Sequence, residues 1–211
     1  MSRGILLVIS GFSGAGKGTV MKELLQGKNR REDCCLSISA TSRKPRNGEV
    51  DGREYYFKTR EEFEAMIKAD EFLEYAEYVE NYYGTPKKYV LEQLEKGINV
   101  ILEIEVNGAK QIKQKYPEAV LVFITPPDVK ELEKRLRGRQ TESEEVIADR
   151  LRTAQRESEE MKEYDYLIVN DEVDACVERL SRLIDCKKQQ MSNQQVMVQK
   201  IQKELYQLNA K

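Results

Sequence analysis

The stretch GFSGAGKGT, residues 11–19, follows the short apolar run Ile5–Ile9 and precedes a helical pattern. Gly11 and the pair Gly16 and Lys17 match the phosphate-loop pattern GxxxxGK[ST] up to its last position. Glycines allow successive backbone N–H groups to turn toward a phosphate, and the dipole of the following helix strengthens the attraction. We therefore predict a strand, a phosphate-binding loop and a helix in that order, with Lys17 reaching the β- and γ-phosphates of a nucleotide.

One position of the loop departs from the pattern. Gly18 stands where a hydroxyl residue is expected, and Thr19 follows one position later. This departure counts against direct coordination of Mg²⁺ by a hydroxyl, but not against phosphate binding by the backbone. The alternative, a glycine-rich turn with a surface lysine, fits the strand–loop–helix context less well.

The composition indicates one water-soluble domain. The chain has 211 residues, a formal net charge of −2 and 34% charged residues, so its nearly neutral surface does not favour bulk binding to nucleic acid or membranes. The run Ile5–Ile9 is too short for a signal peptide or a membrane span. Four cysteines without a CxxC pair indicate reduced thiols in a cytoplasmic protein. The chain has no histidine, which excludes an imidazole base from any catalytic mechanism.

Short β-rich runs alternate with helical patterns, which predicts an α/β fold with a mainly parallel sheet. Strands are predicted at Ile5–Ile9, Cys34–Ser39, Asn99–Glu103, Ala119–Ile124 and Tyr166–Val169. Helices are predicted to begin near Lys17, Thr59, Pro86, Asn107, Asp128, Glu144 and Glu172. Capping boxes are predicted for Thr59 with Glu62, Asp128 with Glu131 and Thr141 with Glu144.

Two segments interrupt this alternation. From Ser39 to about Tyr89, proline, glycine and aromatic strand fragments predict a small subdomain inserted at one edge of the sheet. Beyond Cys186 the composition shifts to lysine, glutamine and asparagine. An a/d spacing in this tail predicts a helix that packs on the core, self-associates or stays at the surface. The apolar residues with that spacing are Met191, Val198, Ile201, Leu205 and Leu208.

Two acids lie in the stretch ILEIEVNG, residues 101–108. Strand alternation places Glu103 and Glu105 on one face, together with Ile101. Both acids lie at the carboxyl end of the strand, where open α/β sheets bind their ligands. Carboxylates there suit a Mg²⁺–water shell beside nucleotide phosphates, although a strand end can also carry acids only for solvation.

The stretch LSISATSRKPRNGEVDGREYYF, residues 36–57, is crowded with groups that bind anions. Arg43 and Arg46 flank a Lys-Pro pair, and the proline restrains the backbone between them. With Ser39 before them and Tyr55 after, these arginines predict a phosphate clamp. A second anion site beside a nucleotide loop implies transfer between two phosphorylated molecules. Because a phosphate acceptor is already an oxyanion at neutral pH, positioning and charge neutralisation are sufficient for catalysis.

A third group of cations lies in KRLRGRQTESEEVIADRLR, residues 134–152. The arginines of interest there are Arg135, Arg137, Arg139 and Arg150. Gly138 interrupts the helical pattern, which suits a hinged flap that closes over phosphates. The alternative is an exposed pair of helices joined by Glu–Arg contacts.

Taken together, these stretches resemble the guanylate kinase family from about residue 4 to residue 186. The motifs that carry the resemblance are SGAGKGT, SATSRKPRNGEVDGREYYF, FLEYAE, NYYGTP, LEIEVNGA, GRQTE and VND. The combination is highly specific, whereas the phosphate loop alone would indicate only nucleotide binding. The resemblance implies a three-layer P-loop kinase fold with an inserted GMP-binding subdomain and a mobile lid. It also implies Mg²⁺-dependent transfer of phosphate from ATP to GMP.

The resemblance assigns a role to each matching position. The ATP-binding residues it implies are Gly11, Phe12, Ser13, Gly14, Ala15, Gly16, Lys17, Gly18 and Thr19. The GMP-binding residues are Ser39, Arg43, Arg46, Tyr55, Glu74, Tyr83, Thr85 and Glu105. The catalytic residues are Lys17, Arg43, Arg135, Arg139 and Arg150. Glu103 and Thr19 are expected to hold the metal through water.

The residue expected to recognise guanine lies in EFLEYAEY, residues 71–78. Strand alternation predicts that Glu74 shares one face with Phe72, Ala76 and Tyr78, so that an acid lies among apolar neighbours. An ionised carboxylate accepts hydrogen bonds on both oxygens, which matches the adjacent N1–H and amine of guanine. The alternative is a carboxylate on an edge strand that reaches solvent.

The expected organisation has one kinase domain, residues 1–186, followed by a helical tail, residues 187–211. Within the domain the core covers about 1–38, 90–126 and 158–186, the GMP-binding subdomain about 39–89 and the lid about 127–157. Three positions differ from the common family pattern without removing a charged group. They are Phe12 in place of proline, Gln140 in place of glycine and Asn107 in place of glutamine.

Two other functions stay open from the sequence. One is a related P-loop phosphotransferase that acts on a sugar phosphate, which would not need Glu74 or Thr85. The other is a guanylate-kinase-like interaction module without catalysis, although such modules typically lack the intact loop and lid arginines found here. The expected partners are ATP and GMP, without nucleic acid or membrane, and the sequence leaves a homo-oligomer open.

Overall fold

Strands and helices alternate along the residues that the computed structural model describes, 3–28, 30–138 and 143–209. The strands are β1 Leu6–Gly11, β2 Cys34–Leu36, β3 Ala40–Thr41, β4 Tyr56–Phe57, β5 Phe72–Tyr78, β6 Asn81–Pro86, β7 Asn99–Glu103, β8 Val120–Thr125 and β9 Tyr166–Val169. The α-helices are α1 Lys17–Gln26, α2 Arg60–Lys68, α3 Lys87–Glu95, α4 Val106–Lys115, α5 Val129–Arg137, α6 Glu144–Glu159, α7 Val173–Lys188 and α8 Gln195–Asn209. Short 3₁₀ turns at Met161–Glu163 and Met191–Asn193 precede β9 and α8.

The core is a five-stranded sheet in the order β2-β7-β1-β8-β9, and all its strand pairs are parallel. Side chains alternate between its two faces because successive residues of a strand point in opposite directions. Leu7 and Ile9 join a buried cluster with residues of α1 and α7. Leu6 and Val8 join another with residues of α3 and α4. Helices therefore cover both faces of the sheet, and the predicted three-layer α/β fold with a parallel core is confirmed.

The predicted strand boundaries differ in their accuracy. Strands β7 and β9 have the predicted bounds, whereas β1 continues two residues beyond the predicted end at Ile9. The predicted strand Cys34–Ser39 is too long, because β2 ends at Leu36. The Ser37 N–H makes one further bond to the Ile101 carbonyl, 2.9 Å away. The chain then leaves the core sheet and enters a second sheet at Ala40.

The second sheet has four strands in the order β4-β3-β6-β5 and lies between β2 and α3 in the sequence. The β3–β6 and β5–β6 pairs are antiparallel, and β3–β4 is parallel. Helix α2 packs on this sheet through Phe63, whose ring stacks on Phe72 at 4.4 Å and on Tyr82 at 5.2 Å between centroids. This small aromatic core supports the strands next to the loop that is predicted to bind the second anion.

The simple alternation predicted for β5 is wrong at its start. Phe72, Leu73 and Glu74 are all buried, and the pairing with β6 is irregular between Phe72 and Tyr75. Phe72 packs on the ring of Phe63 in α2, whereas Leu73 joins the apolar cluster around α3 and α4. The start of the strand lies between α2 on one side and α3 and α4 on the other, so both of its faces are covered there. Tyr78, at the far end of the strand, is exposed.

The predicted helix caps are present where the structure describes them. The Thr59 hydroxyl accepts from the Glu62 N–H and the Glu62 carboxylate accepts from the Thr59 N–H, which confirms the capping box of α2. Asp128 accepts from the Glu131 N–H at 2.8 Å at the start of α5, but the Glu131 carboxylate pairs with Lys134 and Arg135, so only half of this predicted capping box is found among the described residues. The third predicted capping residue, Thr141, lies outside the described residues, and Ser143 caps α6.

The tail forms helix α8 with most of its apolar side chains exposed. Met191, Ile201, Leu205 and Leu208 of the predicted a/d spacing are all exposed, and Val198 is half-buried. Among the described residues, no helix has both the length and the apolar character needed to cross a membrane.

Candidate active site

The predicted phosphate loop connects β1 to α1, as the sequence indicates. Gly11 has φ +154° and Gly16 has φ +87°, values that favour glycine. A Cβ on Gly11 would lie 2.0 Å from the Ile124 carbonyl oxygen, and one on Gly16 would lie 2.5 Å from the Asn170 amide nitrogen. Backbone conformation and close packing therefore both require glycine at these two positions.

Lys17, the first residue of α1, folds back over this loop. Its Nζ donates to the carbonyl oxygens of Gly11 at 2.5 Å and Phe12 at 3.3 Å. A cavity of about 400 Å³ opens here. It is lined by Phe12, Ser13, Gly14, Gly16, Lys17, Gly18, Thr19 and Glu103. The structure thus brings the loop, its lysine and both residues predicted to hold a metal to one cavity.

Glu103 occupies the carboxyl end of β7, next to Ile9 of β1 in the sheet register. Burial raises the pKa of its carboxyl, and the nearby Lys17 opposes this shift. Glu105, two residues later, is exposed and precedes the first turn of α4. The two acids therefore differ in environment, and Glu103 is the one that faces the phosphate loop.

Two arginines of the helices that follow β8 contact the phosphate loop. Arg135 of α5 donates to the Ala15 carbonyl at 3.4 Å and to the Asn170 carbonyl at 2.9 Å. Arg150 of α6 donates to the Ser13 hydroxyl. Arg139 lies outside the described residues. Arg137, in contrast, pairs with Glu133 and Glu144 at the surface, so the exposed Glu–Arg alternative describes that residue.

Asn170 is a loop-supporting residue that the sequence interpretation did not identify. It follows β9, is 3% exposed, and donates from Nδ2 to the Ala15 carbonyl at 2.8 Å. Arg135 binds the Asn170 carbonyl. Asn170 thus joins the phosphate loop to Arg135 of α5. The sequence did contain a signal, the VND motif of residues 169–171, which supported the family resemblance but did not indicate a role for Asn170.

The predicted second anion site is centred on Arg43, in the loop between β3 and β4. The Arg43 guanidinium lies 5.4 Å from the centre of the Tyr55 ring, and the Tyr55 and Tyr83 rings meet edge to face at 6.0 Å. Arg43 also pairs with Glu49, at 2.9 and 3.0 Å. Glu49 first, and Tyr83 to a smaller extent, raise the pKa of Arg43. The predicted clamp residues Arg43, Tyr55 and Tyr83 therefore come together in space.

Arg46 and Ser39 lie on either side of this group in the sequence. The Arg46 side chain is exposed, and no ion pair is found for it within the described part of the chain. The Ser39 carbonyl accepts from the Tyr56 N–H at 2.9 Å, which fixes Ser39 beside β4. Ser39 immediately precedes β3, and Arg46 lies on the same loop as Arg43.

Glu74 and Thr85 form a buried pair on the adjacent strands β5 and β6. Glu74 is 5% exposed and Thr85 is fully buried, and the threonine hydroxyl donates to Glu74 Oε1 at 2.7 Å. The second carboxylate oxygen, Oε2, lies 2.6 Å from where a Cβ on Gly108 of α4 would be, so a larger residue there would displace the carboxylate. Burial raises the pKa of Glu74, and the hydrogen bonds from Thr85 oppose the shift. The alternative of a solvated carboxylate on an edge strand is thereby contradicted.

Glu157 of α6 is a second acid that the sequence interpretation did not single out. Burial, followed by the charge of Glu105, raises the pKa of Glu157 to about 7, and Lys17 opposes the shift. The half-buried side chain therefore carries a destabilising charge at alkaline pH. No local pattern indicates this, because the shift arises from residues far away in the sequence.

Glu157→Gln is expected to stabilise the protein at pH 8 but not at pH 4.5. Below the ordinary carboxyl pKa both folded and unfolded chains hold the proton, and the cost of the buried charge increases as pH rises to about 7. We expect a gain of about 1–2 kcal/mol in the free energy of unfolding at pH 8, which is less than the full pKa shift would give at about 1.4 kcal/mol per pKa unit, because solvent screens a charge that is only half-buried. Denaturant unfolding at both pH values measures it, with the exposed Glu159→Gln as control. An equal gain at both pH values would contradict the assignment.

The fold and this site define the class of protein. A parallel sheet whose first strand leads into a phosphate loop, with arginines of later helices on that loop, is a P-loop kinase fold. The chain belongs to the guanylate kinase family, whose model, described as guanylate kinase, matches residues 3–187.

Individual relatives agree with this family. The guanylate kinases of Streptococcus agalactiae serotype III (strain NEM316) and Streptococcus thermophilus (strain CNRZ 1066) are each 56% identical over 183 residues, which is 87% of this chain and 87% of each relative. The crystal structure of guanylate kinase from Anaplasma phagocytophilum has a TM-score of 0.73 and 32% identity. That match covers 91% of this chain and 90% of the other.

Proposed function

We propose that the protein transfers the γ-phosphate of ATP to GMP and forms ADP and GDP. The observation that carries this proposal is that the phosphate loop and the Arg43 clamp are separate candidate anion sites, and that the sheet next to the clamp loop also holds a buried polar pair able to bind a base. The phosphate loop with Lys17 suits a triphosphate. The Arg43 clamp shares its sheet with the buried pair Glu74 and Thr85, which suits a nucleotide with a hydrogen-bonding base. The family relation supports the same reaction.

ATP and GMP are assigned to opposite ends of the site. The loop residues 11–19 hold the ATP phosphates through backbone N–H groups and Lys17. Arg43, Arg46, Tyr55 and Tyr83 hold the GMP phosphate. The guanine base is read by the remaining residues, Ser39, Glu74, Thr85 and Glu105.

The donor groups beside the phosphate loop fit Mg²⁺. The cavity that contains Lys17 and Thr19 also contains the Glu103 carboxylate, and a carboxylate with water is a set of oxygen ligands that Mg²⁺ prefers. Glu103 and Thr19 would hold the ion through water. When bound, Mg²⁺ would neutralise charge on the ATP phosphates.

The protein groups contribute by position and charge. A GMP phosphate oxygen, already ionised at neutral pH, attacks the γ-phosphorus of ATP in line, and the bond to the β-phosphate oxygen breaks. Lys17, Arg135, Arg139 and Arg150 stabilise the charge on the transferring group, as Arg43 does on the acceptor. No general base is needed, which agrees with a chain that has no histidine.

We also propose that three parts of the chain have different functions. The core, about residues 1–38, 90–126 and 158–186, carries the phosphate loop. Residues 39–89 form the GMP-binding subdomain, and residues 127–157 form the lid. Support comes from the separate second sheet and from the contacts of Arg135 and Arg150 with the loop.

A coupled assay of ADP release tests the proposal directly. GMP should give ADP, whereas AMP and ribose phosphates should give little. ADP release with a ribose phosphate but not with GMP would favour the sugar-phosphate alternative. No ADP release with any acceptor, together with intact folding, would favour a non-catalytic interaction module.

Deletion of residues 190–211 is expected to leave kcat/KM for both nucleotides within about twofold of the full chain. The apolar side chains of α8 are mostly exposed, and the family match ends at residue 187. Steady-state kinetics of the truncated protein measure this. A longer deletion, from residue 186, also removes Lys188, which pairs with Asp33 beside β2. The longer deletion should lower thermal stability, whereas a loss of activity in the shorter one would show that the tail contributes to catalysis.

A further inference from the structure

The Glu49 carboxylate contacts both arginines of the clamp loop. Its two oxygens accept from NH1 and NH2 of Arg43, at 2.9 and 3.0 Å. The oxygen that binds NH1 also accepts the main-chain N–H of Arg46 at 2.7 Å. One carboxylate therefore receives three hydrogen bonds, and it connects the guanidinium of one clamp arginine to the backbone of the other.

The geometry of Arg43 leaves part of its guanidinium for a ligand. A guanidinium presents two edges to an anion, the NH1–NH2 end and the Nε–NH2 side. Glu49 takes the end, and the Lys44 carbonyl accepts a further NH1 hydrogen at 2.7 Å. The Nε–NH2 side is the edge that Glu49 does not occupy, and Tyr83, which also interacts with this guanidinium, is itself a predicted clamp residue. Arg43 is thus held by one edge while the other can bind a phosphate.

A second Arg–Glu pair in the same loop shows what is particular about Glu49. Arg53 and Glu54 pair at 2.6 Å, but their side chains are 63% and 34% exposed. Those of Arg43 and Glu49 are 14% and 18% exposed. A shielded bidentate pair restrains its arginine far more than an exposed ion pair does. The loop therefore has one pair that restrains the clamp and one that lies at its surface.

We propose that Glu49 is a positioning residue for the acceptor phosphate. It fixes the end of the Arg43 guanidinium and the backbone of Arg46. The clamp is therefore ordered before GMP binds, and binding does not carry the entropy cost of ordering it. The inference rests on the proposed function, because it assigns the clamp to the GMP phosphate. Pre-ordering of this kind strengthens binding without new contacts to the ligand.

The opposite role would also place a carboxylate on Arg43. Glu49 could occupy the place of the phosphate and compete with it. The two roles predict opposite changes when the carboxylate is removed. A positioning residue makes GMP bind better, so its loss raises KM for GMP, whereas loss of a competitor lowers it.

Kinetics of Glu49→Gln distinguish these roles. Glutamine has the same length but only one acceptor oxygen, so it cannot hold both guanidinium nitrogens. We expect KM for GMP to rise about tenfold, in line with the loss of a charge-assisted hydrogen bond, while kcat and KM for ATP change by less than about threefold. Glu49→Asp keeps the charge on a shorter side chain and should fall between. Glu54→Gln, the matched control, should change none of these constants.

A double-mutant cycle separates positioning of Arg43 from general support of the loop. In an Arg43→Ala background, Glu49→Gln should raise KM for GMP by less than about threefold, because the guanidinium that Glu49 restrains is absent and glutamine keeps one acceptor oxygen for the Arg46 N–H. A full tenfold effect in that background would overturn the proposal, as would a fall in KM in the single variant. If Glu49→Gln does not fold, Glu49→Asp in the same cycle provides the test. A wild-type protein that does not phosphorylate GMP would instead overturn the proposed function, and this inference with it.

Discussion

Lys17→Ala is expected to reduce kcat for phosphate transfer by about 10²–10³, the usual cost of removing one group that stabilises charge in a transition state. The ammonium group of Lys17 lies inside the phosphate loop, 2.5 Å from the Gly11 carbonyl oxygen. The other donors that the loop can offer to a phosphate, its backbone N–H groups and the hydroxyls of Ser13 and Thr19, carry no charge. Arg135 and Arg150 contact the loop from α5 and α6 and do not take the place of Lys17 within it.

The loss should be catalytic and not structural. Lys17 is only half-buried and lies at the start of α1, so thermal unfolding of the variant should resemble that of the wild type. Lys17→Met, which keeps the length of the side chain, should lose as much activity as Lys17→Ala. Lys22→Ala removes an exposed lysine from the same helix and serves as the control. Near wild-type turnover in both Lys17 variants would contradict the assigned mechanism.

The core strands were predictable because each is a short apolar run bounded by polar residues. Strand β7 has the predicted bounds Asn99–Glu103, since charged or polar residues define both ends. The sequence did not show where β2 ends, because Ser37–Ser39 continue the β-rich pattern while the backbone crosses to another sheet. Periodicity predicts extended backbone, but it does not identify the partner strand. Sheet membership depends on contacts between distant segments.

The same distinction applies to the site. Residues with an intrinsic chemical signature, such as Lys17 in its glycine-rich loop, could be recognised from a local pattern. Asn170 could not, because its role depends on a hydrogen bond to Ala15, 155 residues away. Glu49 is close to Arg43 in the sequence, but a glutamate in a charged loop gives no local sign that both its oxygens are held. Burial distinguishes it from Glu54, and burial is a property of the folded chain.

Recognition of the base should produce the largest effect. GMP is expected to be the best acceptor by kcat/KM, followed by IMP and then AMP. The Glu74 carboxylate is buried, and Thr85 donates to its Oε1, so its orientation is fixed. Guanine offers N1–H and the exocyclic amine to this acceptor, whereas adenine has a lone pair at N1 and no amine at C2. A site built for such a hydrogen bond can reject an analogue that lacks it by about 10⁴–10⁵.

Glu74→Ala should reduce the differences in kcat/KM between GMP, IMP and AMP, mainly by lowering kcat/KM for GMP. IMP keeps N1–H and lacks only the amine. In the wild type, its kcat/KM relative to those of GMP and AMP therefore shows how much each of the two hydrogen bonds contributes to the preference. Without the carboxylate, all three nucleotides lack a partner at this edge of the base, and their kcat/KM values should converge. Glu77→Ala removes a glutamate of the same strand that pairs with Arg60 at the surface, and it should keep the wild-type order. Steady-state kinetics with GMP, IMP and AMP for both variants test this role of Glu74. A Glu74→Ala enzyme that keeps its full preference for GMP over AMP would show that another residue determines this preference.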